Sequence, residues 1–405
     1  MGFYCQRHSY ETELTTKVVS CTQAQVKLEV NGRKQNVKGF ELILEDTVLF
    51  PEGGGQINNV EVLRITRKGA DAIHFVTSSL EPGSEVTQKV DWKRRFDHMQ
   101  QHSGQHLVTA IADDKYGWKT TSWDLGREKS FIELDTPKIS QEQLEELEKD
   151  TNDAIRKCIP MTPRLVELGS KELQEVRTRG LPDDHVGLVR IVEIEGIEAN
   201  LCCGTHVSNL SHLQAIKLLG AEKGKKGKTN LYFLAGNRVL SYLGKCYNNE
   251  KALNLSLKCG PDEHVQQVDK IQKSLKTANK TSLTVLRELA VLEARHYKLN
   301  PNRDPLLSIH RKEGDSEYMI IVANEVGPEN ALMLLSTGEE NGAGLFLVAG
   351  PTDIVEEAGP RVASLLEGKG ACKNGRYQGK ATKLSKRSEA EKLLRDFTHK
   401  LNLNS

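Results

Sequence analysis

Apolar and polar residues alternate in short runs along the first 90 residues. The runs are TTKVVSCT (15–22), QVKLEV (25–30), FELILEDTVLF (40–50) and NVEVLRITRK (59–68), with Gly, Asn and Asp turn residues between them. A period of two residues places successive side chains on opposite faces of a strand. The pattern therefore predicts a small β-barrel or sheet over residues 1–90.

Helical and strand patterns are mixed after Asp91. A helix is predicted from about His98 to Asp113 and another from about Ser140 to Arg156. Apolar runs typical of strands follow, namely LVRIVEI (188–194) and LYFLAG (231–236). Residues 91–245 are therefore expected to form an α+β domain.

Residues 246–300 are expected to be helical. Beyond Pro261, apolar residues recur at spacings of three and four, at Val265, Val268, Ile271, Leu275, Leu283, Leu286 and Leu289. This spacing predicts an amphipathic helix, which a coiled-coil partner would cover. The polar stretch 279–281 interrupts the apolar stripe, so one long helix and two antiparallel helices are both compatible with it.

The last segment, residues 301–405, is expected to be a separate α/β domain. YMIIVANEV (318–326), LMLLSTG (332–338) and GLFLVAGP (344–351) are interpreted as strands, and DIVEEAGPRVASLLEG (353–368) as helical. Together the four segments predict an α+β multidomain protein. Its 405 residues exceed the size at which a single core usually divides.

Composition narrows the partners and the cellular compartment expected for the protein. The 56 Lys and Arg residues nearly balance the 55 Asp and Glu residues, so any nucleic-acid footprint must be local. The eight cysteines are too scattered for a disulfide framework, which favours a reducing compartment. Because the sequence shows neither a signal peptide nor an apolar run of membrane-spanning length, we expect a cytoplasmic protein without a membrane partner.

HMQQHSGQH (98–106) places three histidines at four-residue intervals. Residues i and i+4 share one helix face, so His102 and His106 can direct ring nitrogens toward one point. His98 lies two turns from His106 and is interpreted as a bystander. Taken alone, the pair is better explained by solvated or core histidines than by a metal site.

LCCGTHV (201–207) supplies a second pair at the same spacing, Cys202 and His206. Cysteine combined with histidine favours zinc. Cys203 competes for the thiolate position but lacks the spacing that returns His206 to the same side. The residues between His102 and His106 include no glutamate, which disfavours a zinc peptidase of the H-E-x-x-H kind. The four residues predict one zinc site per chain.

HSGQH followed by CCGTH resembles the editing domain of alanyl-tRNA synthetase and its free-standing AlaX-type relatives. The usual second motif is C-G-G-T-H, so Cys203 here replaces a glycine. LFPEGGGQ (49–56) resembles the family's glycine motif, which implies a substrate pocket at Gly54, Gly55 and Gln56. One departure is that about half a dozen residues, including a proline, are missing directly after Gln56.

The resemblance extends to the C-terminal domain of alanyl-tRNA synthetase through GLFLVAG (344–350) and EGKGACKNGRYQGKA (367–381). Together the motifs have the layout of the long AlaX form. No synthetase catalytic region precedes them in this sequence, so the resemblance implies editing without charging and no nucleotide cofactor. The sequence does not indicate an oligomeric state.

The implied activity is deacylation of mischarged tRNA(Ala), chiefly Ser-tRNA(Ala) and in addition Gly-tRNA(Ala), by an aminoacyl-tRNA deacylase. Four protein ligands leave no open position on a tetrahedral zinc, so zinc activates water through a changed coordination or only positions the substrate. The alternative is a non-catalytic, zinc-stabilised RNA-binding protein. Gln105 and Thr205 are candidates for contacts with the substrate, although solvent exposure or turn capping explains them equally well.

Two basic runs are candidate tRNA contacts, EKGKKGKTN (222–230) and KGACKNGRYQGKATKLSKR (369–387). Lysine and arginine suit phosphate contacts, and Tyr377 is a candidate for stacking on a base. A solvated basic loop is the alternative for each run. The polar loop containing Asp183, Asp184 and His185 is either a set of partners for the ligand imidazoles or a surface turn. The proposed phosphate contacts are Lys225, Lys226, Lys228, Lys373, Arg376 and Lys380.

Overall fold

The structure is a computed structural model that describes residues 2–30, 33–50, 55–69, 71–170, 173, 176 and 188–402. The chain divides into two compact units, residues 1–251 and 252–405. The mixed α+β, multidomain class predicted from the sequence is confirmed. Of the sites predicted above, Gly54 and the loop from Asp183 to His185 lie outside the described residues.

Six antiparallel strands form the N-terminal part of the first unit. They are β1 (Glu13–Val30), β2 (Arg33–Leu44), β3 (Gly55–Ile57), β4 (Val60–Lys68), β5 (Asp71–Val76) and β6 (Glu85–Val90), after a short helix α1 (Tyr4–Arg7). Their order is β1-β2-β5-β4-β3-β6, and β6 pairs again with β1, so the sheet closes into a barrel. Leu42, Ile57 and Val76 are among the fully buried core residues.

The shortened segment after Gln56 is a two-residue hairpin. Gln56 pairs with Glu61 and Ile57 with Val60, so only Asn58 and Asn59 connect β3 to β4. Both asparagines have positive φ, 46° and 67°. Two central residues with positive φ are the signature of a type I′ turn, which suits antiparallel strands and tolerates asparagine. The missing residues are thus replaced by a tight turn that keeps the strands in register.

The rest of the first unit combines helices α2 (Trp92–Tyr116) and α3 (Gln141–Arg156) with two sheets. One sheet has the order β12-β13-β8-β7 and the other β11-β10-β9. Their strands are β7 (Thr120–Asp124), β8 (Ser130–Leu134), β9 (Met161–Val166), β10 (Val189–Ile194), β11 (Glu198–Leu201), β12 (Ile216–Lys223) and β13 (Thr229–Ala235). Both predicted helices are confirmed, and α2 is longer than expected.

Helix α2 has clear sequence signals at its ends. The Asp91 side chain accepts a hydrogen bond from the Arg94 amide, and Gly117 ends the helix with φ 69°. An N-cap side chain and a left-handed C-terminal glycine satisfy backbone groups that the helix leaves unpaired. Inside the helix, a Cβ at Gly104 would lie 3.1 Å from Ala235 Cβ and 3.2 Å from Ile216 Cδ1. Glycine therefore lets α2 pack closely on the sheet.

Two helices follow β13, α4 (Asn237–Leu257) and α5 (His264–Leu299). The expected domain boundary at residue 246 falls inside α4. The polar stretch 279–281 does not break α5, so the single long helix is confirmed and the two-helix alternative is wrong. The reason is that Asn, Lys and Thr on a solvent-exposed face cost little helix stability.

The second unit contains a five-stranded sheet in the order β14-β15-β16-β18-β17. The strands are β14 (Leu306–Arg311), β15 (Leu332–Gly338), β16 (Gly344–Ala349), β17 (Lys369–Lys373) and β18 (Arg376–Ala381), and the helices are α6 (Ser316–Val326), α7 (Thr352–Leu365) and α8 (Arg387–Asn402). The first two strands are parallel and the others antiparallel. In the described part of the chain, no helix has the length and apolarity needed to cross a bilayer.

The strand predicted for YMIIVANEV is wrong, because this segment forms α6. The Asp315 side chain caps the helix by accepting from the Tyr318 amide. The buried residues, which include Tyr318, Val322 and Val326, recur every four positions. A short apolar run does not distinguish a buried helix from a buried strand, and the cap before it was the informative signal.

Candidate metal centre

Four side chains from distant segments meet in the first unit. His102 and His106 lie one turn apart on α2, Cys202 directly follows β11, and His206 lies four residues further on. Their ligand atoms are all within 4.8 Å of one another. His98 is outside this group, as expected. The structure therefore brings together all four residues that the two spaced motifs singled out.

The distances suit a tetrahedral metal ion. Cys202 Sγ lies 3.2 Å from His206 Nε2 and 3.5 Å from His102 Nε2. A tetrahedral zinc with ordinary Zn–N and Zn–S bonds separates its ligand atoms by about 3.3 to 3.6 Å. The chemistry of the donor set and these two distances therefore fit zinc, and all four ligand atoms lie within 4.8 Å of one another.

Burial prepares the imidazoles for metal binding. His106 and His206 are buried, and His102 is half-buried. Loss of solvation lowers the pKa of His102 to about 4 and that of His206 well below its ordinary value. Both rings are therefore neutral at physiological pH, which is the form that binds metals.

The thiol of Cys202 has the opposite requirement, because it must lose a proton to become a ligand. Burial raises the pKa of Cys202 to about 11, although the Gly204 amide and the charge of Arg190 act against this rise. The Gly204 N–H donates to Cys202 Sγ at 3.4 Å. A divalent cation would supply the positive charge that a buried thiolate needs, and its binding would release a proton.

Hydrogen bonds orient two of the rings. Ser103 Oγ lies 3.1 Å from His206 Nδ1 and also accepts from the Val207 amide. The backbone of Thr205 bonds to His102. A partner on one ring nitrogen leaves the other directed at the metal position, which is how outer partners of metal-bound histidine generally act. Sequence reasoning missed Ser103, although it lies within the HSGQH motif.

The glycine after Cys203 is required by the histidine opposite it. A Cβ at Gly204 would lie 2.3 Å from His102 Cε1 and 2.5 Å from His102 Nδ1. Cys203, which stands where the family usually has glycine, is exposed and is not part of the ligand cluster. The two positions therefore differ sharply in how much side chain they tolerate.

Two long-range hydrogen bonds hold the cysteine segment. Arg190 Nη1 donates to the Cys202 carbonyl at 2.5 Å, and Arg190 Nη2 donates to the Gln6 carbonyl at 2.9 Å. The Gln6 side chain donates to the Cys203 carbonyl at 2.5 Å. The N-terminal helix α1 and strand β10 thus fix the backbone that carries a ligand. The sequence offered no motif for Arg190 or Gln6.

Gln105 and Thr205, the two candidate substrate contacts in the HSGQH and CCGTH motifs, are buried. Gln105 donates to Thr109 Oγ1 at 2.9 Å, within its own helix. Thr205 is only 5% exposed, and its backbone bonds to His102. Neither residue faces solvent, so the solvent-exposed alternative for Gln105 is wrong. The ring of Trp123, which sequence analysis did not select, lies 5.2 Å from that of His102 between centroids.

In the described part of the glycine motif, the fold itself requires glycine at position 55. Gly55 has φ 155°, and a Cβ there would lie 2.5 Å from both Leu49 Cδ2 and the Lys89 carbonyl. Gln56 is exposed on β3. Glycine at position 55 therefore allows β3 to approach β6 closely, whatever its role toward a substrate.

A buried polar network lies next to the glycine motif. Thr47 Oγ1 is 2.7 Å from Gln88 Oε1 and 2.9 Å from His74 Nε2. Arg95 of α2 donates to the Val48 carbonyl at 2.8 Å. These side chains satisfy the backbone between β2 and the glycine motif and connect it to the helix that carries the histidines. Sequence analysis missed the network because its members share no spacing.

The basic candidates lie at two hairpins, one in each unit. Lys225 and Lys226 are exposed in the turn between β12 and β13, whereas Lys228 forms an ion pair with Glu133 at 3.1 Å. Exposed Lys373 and Lys380, with half-buried Arg376, lie on the β17–β18 hairpin. Arg376 also bonds to Asn324.

The expected stacking of Tyr377 on a base is wrong. Tyr377 is 8% exposed and belongs to the core of the second unit. Its ring packs against Phe346, and its hydroxyl donates to the Gly370 carbonyl at 3.0 Å. The aromatic ring is used for packing because it lies on the inner face of β18.

Comparison with known proteins agrees with this site. Residues 189–232 match the family model described as the threonyl and alanyl tRNA synthetase second additional domain. This match includes Cys202 and His206. The fold and this match thus place the chain in the class of proteins that contain this synthetase-associated domain, and the candidate metal centre lies partly within it.

Curated relatives match nearly the whole chain. The chain is 59% identical to alanyl-tRNA editing protein Aarsd1-B of Xenopus laevis over 97% of each protein, and 57% identical to Aarsd1 of Danio rerio over 99% of this chain and 98% of the relative. It is 30% identical to the putative alanyl-tRNA editing protein alaX of Saccharomyces cerevisiae over 94% and 93%. The chain belongs to the alanyl-tRNA editing protein family. The resemblance carried by the HSGQH and CCGTH motifs is therefore confirmed.

Proposed function

We propose that this protein hydrolyses the ester bond between tRNA(Ala) and a wrong amino acid, and so acts as an aminoacyl-tRNA deacylase. The observation that carries the proposal is the convergence of His102, His106, Cys202 and His206 in a chain whose full-length relatives are named editing proteins. Serine is the chief expected amino acid and glycine the second.

The limits of amino-acid recognition explain the need for such an activity. A pocket built for a small apolar side chain rejects an added hydroxyl by only about a hundredfold, and one missing methylene is worth about 1 to 3 kcal/mol. A site selecting alanine therefore admits serine and glycine. Hydrolysis at a second site restores accuracy.

We assign one Zn²⁺ per chain to the four-residue cluster. When bound, zinc supplies a Lewis acid that polarises an ester carbonyl or lowers the pKa of water. The protein's own groups hold the ion through three neutral imidazoles and one thiolate, while Ser103 and the Thr205 backbone keep two of the rings oriented. Gln105, Thr205, Gly54, Gly55 and Gln56 are proposed to border the substrate.

The tRNA is proposed to contact both units. Lys225, Lys226 and Lys228 would serve the first unit, and Lys373, Arg376 and Lys380 the second, while residues 246–300 connect the editing and tRNA-binding segments. Exposed lysines suit phosphate oxygens without selecting a sequence. Affinity for tRNA should therefore fall steeply as salt rises. Translation in the cytoplasm is the setting in which we place this activity.

A second candidate is a non-catalytic tRNA-binding protein that zinc only stabilises. The observation in its favour is the complete set of four protein ligands, which is typical of structural rather than catalytic zinc. The two candidates differ in one measurable outcome, which is whether the intact protein cleaves the ester.

The deciding experiment is a deacylation assay on the zinc-loaded full chain with seryl-, glycyl- and alanyl-tRNA(Ala). We expect release of serine, and of glycine, with alanyl-tRNA(Ala) spared. Cys202→Ala and His206→Ala should abolish the activity. Circular dichroism shows whether each variant is folded, and elemental analysis shows how much zinc it retains. A folded, zinc-loaded protein that binds tRNA and leaves every ester intact would establish the second candidate instead.

A further inference from the structure

Buried side chains bind the backbone of residues 46–49, the stretch that leads from the barrel into the glycine motif. The Leu49 amide donates to Thr47 Oγ1 at 3.0 Å, and the Val48 amide donates to Gln88 Oε1 at 3.2 Å. Gln88 Nε2 also donates to the carbonyl of residue 46 at 3.0 Å. This stretch, the entry segment, is therefore fixed to the barrel at strand β6.

A further contact of the entry segment comes from the helix that carries two of the metal ligands. Arg95 Nη2 donates to the Val48 carbonyl at 2.8 Å. Arg95 lies on α2, seven positions before His102, and this spacing of about two helical turns places both residues on the same face of the helix. The guanidinium therefore joins the entry segment to the helix whose histidines belong to the metal centre.

Stability alone does not account for an arginine at this position. Arg95 is 1% exposed, and its Nη1 is buried with no hydrogen-bond partner among the described residues. A buried charge with an unpaired donor costs free energy that an apolar side chain of similar volume would not. Within the same part of the chain, the contact that an apolar side chain could not make is the bond to the Val48 carbonyl. The arginine therefore serves to hold the entry segment.

The entry segment in turn contacts the end of the glycine motif. Leu49 is fully buried, and a Cβ added at Gly55 would lie 2.5 Å from Leu49 Cδ2. The Leu49 side chain is therefore packed against the backbone with which β3 begins. Because close-packed interiors transmit displacements, a shift of Leu49 would change the position of Gly55.

We infer that Arg95 is a positioning residue that sets the amino-acid selectivity of the site, because it holds the glycine motif at a fixed place relative to the metal centre. It acts through Val48 and Leu49 on Gly55 and needs no contact with the substrate. The inference rests on the proposed function, which places Gly55 and Gln56 beside the substrate. A site that bonds to a hydroxyl discriminates against the analogue without it only while its groups keep their positions.

The test measures binding of two RNA minihelices to the zinc-loaded full chain by fluorescence anisotropy. Both carry the acceptor stem of tRNA(Ala), and a non-cleavable amide joins serine to the 3′ end of one and alanine to the 3′ end of the other. We expect the wild type to bind the seryl probe about tenfold more tightly, as one buried hydrogen bond to the hydroxyl provides. Arg95→Met keeps a long side chain but removes the donor to Val48, so it should abolish most of this preference.

Two further variants separate positioning from a loss of folding. Arg95→Lys can still donate to the Val48 carbonyl and should keep part of the preference. Thr47→Val releases the entry segment from within the barrel and should weaken the preference as Arg95→Met does. The matched control is Arg94→Met, which changes an exposed neighbour on α2 and should leave the preference unchanged. Circular dichroism and zinc content verify that each variant is folded and loaded with metal.

The ratio of the two affinities distinguishes positioning from a general structural role. A purely structural role would weaken the binding of both probes equally and leave their ratio unchanged. Equal binding of both probes by the wild type, or an unchanged ratio in either Arg95→Met or Thr47→Val, would overturn the inference. An equal loss of preference in Arg94→Met would do the same.

The outcome is separable from that of the proposed function, because the amide probes cannot be cleaved and ester hydrolysis is measured independently on seryl-tRNA(Ala). A wild type that prefers the seryl probe through Arg95 but leaves the ester intact would support the inference and refute the deacylase. A wild type that cleaves the ester, with no change of the affinity ratio in Arg95→Met, would do the reverse.

Discussion

The Gln6 side chain donates a hydrogen bond to the Cys203 carbonyl across 197 residues of sequence. It ties the N-terminal helix to the segment that carries Cys202 and His206. Arg190 donates to the Cys202 carbonyl of the same segment, and Ser103 of α2 contacts His206 and accepts from the Val207 amide. Placement of the cysteine segment thus depends in part on a residue that precedes the barrel.

Gln6→Met should weaken zinc binding by about tenfold, because a similar volume is kept while the donor to Cys203 is lost. A competition titration with a chromophoric chelator measures the affinity. Exposed Gln23→Met in the same barrel is the control and should match the wild type. Equal affinity in all three proteins would show that Gln6 does not support the centre.

Ser103→Ala should lower zinc affinity by about 10- to 100-fold, since it removes the partner of His206 Nδ1 at 3.1 Å. The same titration reports the effect. Ser122→Ala, at an exposed position of β7, serves as control. If Ser103→Ala binds zinc as tightly as the wild type, the orientation of His206 must come from packing alone.

The adjacent cysteines should respond oppositely to substitution. Cys202→Ala removes a ligand and should reduce bound zinc to a small fraction of one ion per chain, whereas Cys203→Ala changes an exposed side chain outside the cluster and should leave the content unchanged. Elemental analysis of the purified proteins measures both. Loss of zinc in Cys203→Ala alone would mean that the two thiols exchange roles.

Sequence spacing predicted the four clustered residues because each pair is local, four positions apart, and a helix or tight turn turns that spacing into proximity. It could not predict Gln6 or Arg190, whose contacts depend on how the barrel and β10 fold back onto the cysteine segment. For α6, apolar content predicted a buried element but not its type, which the Asp315 cap decides. Tyr377 shows the same limit, since burial by Phe346 is a tertiary fact.

Gly204→Ala should disrupt the metal centre even though it adds one methyl group. The new Cβ would lie 2.3 Å from His102 Cε1, so the ring must move away from the position that suits the metal. We expect zinc affinity to fall by at least about tenfold. Gly244→Ala is the control, because it also replaces a glycine by alanine but no atom lies within 4 Å of the added Cβ. Unchanged zinc affinity in Gly204→Ala would show that His102 is not held where the structure places it.

Acid should destabilise the first unit through His74. Burial in the barrel lowers the pKa of His74 to about 4, below the value of about 6.5 that the residue has when unfolded. The unfolded chain therefore binds the proton more readily, and stability from the neutral ring is present above about pH 6.5 and lost as the pH falls toward 4. Between about pH 7.5 and 5 this loss amounts to roughly 2 kcal/mol in the free energy of unfolding.

Urea unfolding followed by tryptophan fluorescence measures this loss, because Trp92, Trp118 and Trp123, the three tryptophans of the chain, all lie in the first unit. His74→Gln lacks the titrating ring, so its stability should change less between the two pH values, even if it is lower at both. His8→Gln, at an exposed position, should keep the pH dependence of the wild type. An equal pH dependence in wild type and His74→Gln would show that the barrel does not couple its stability to this proton.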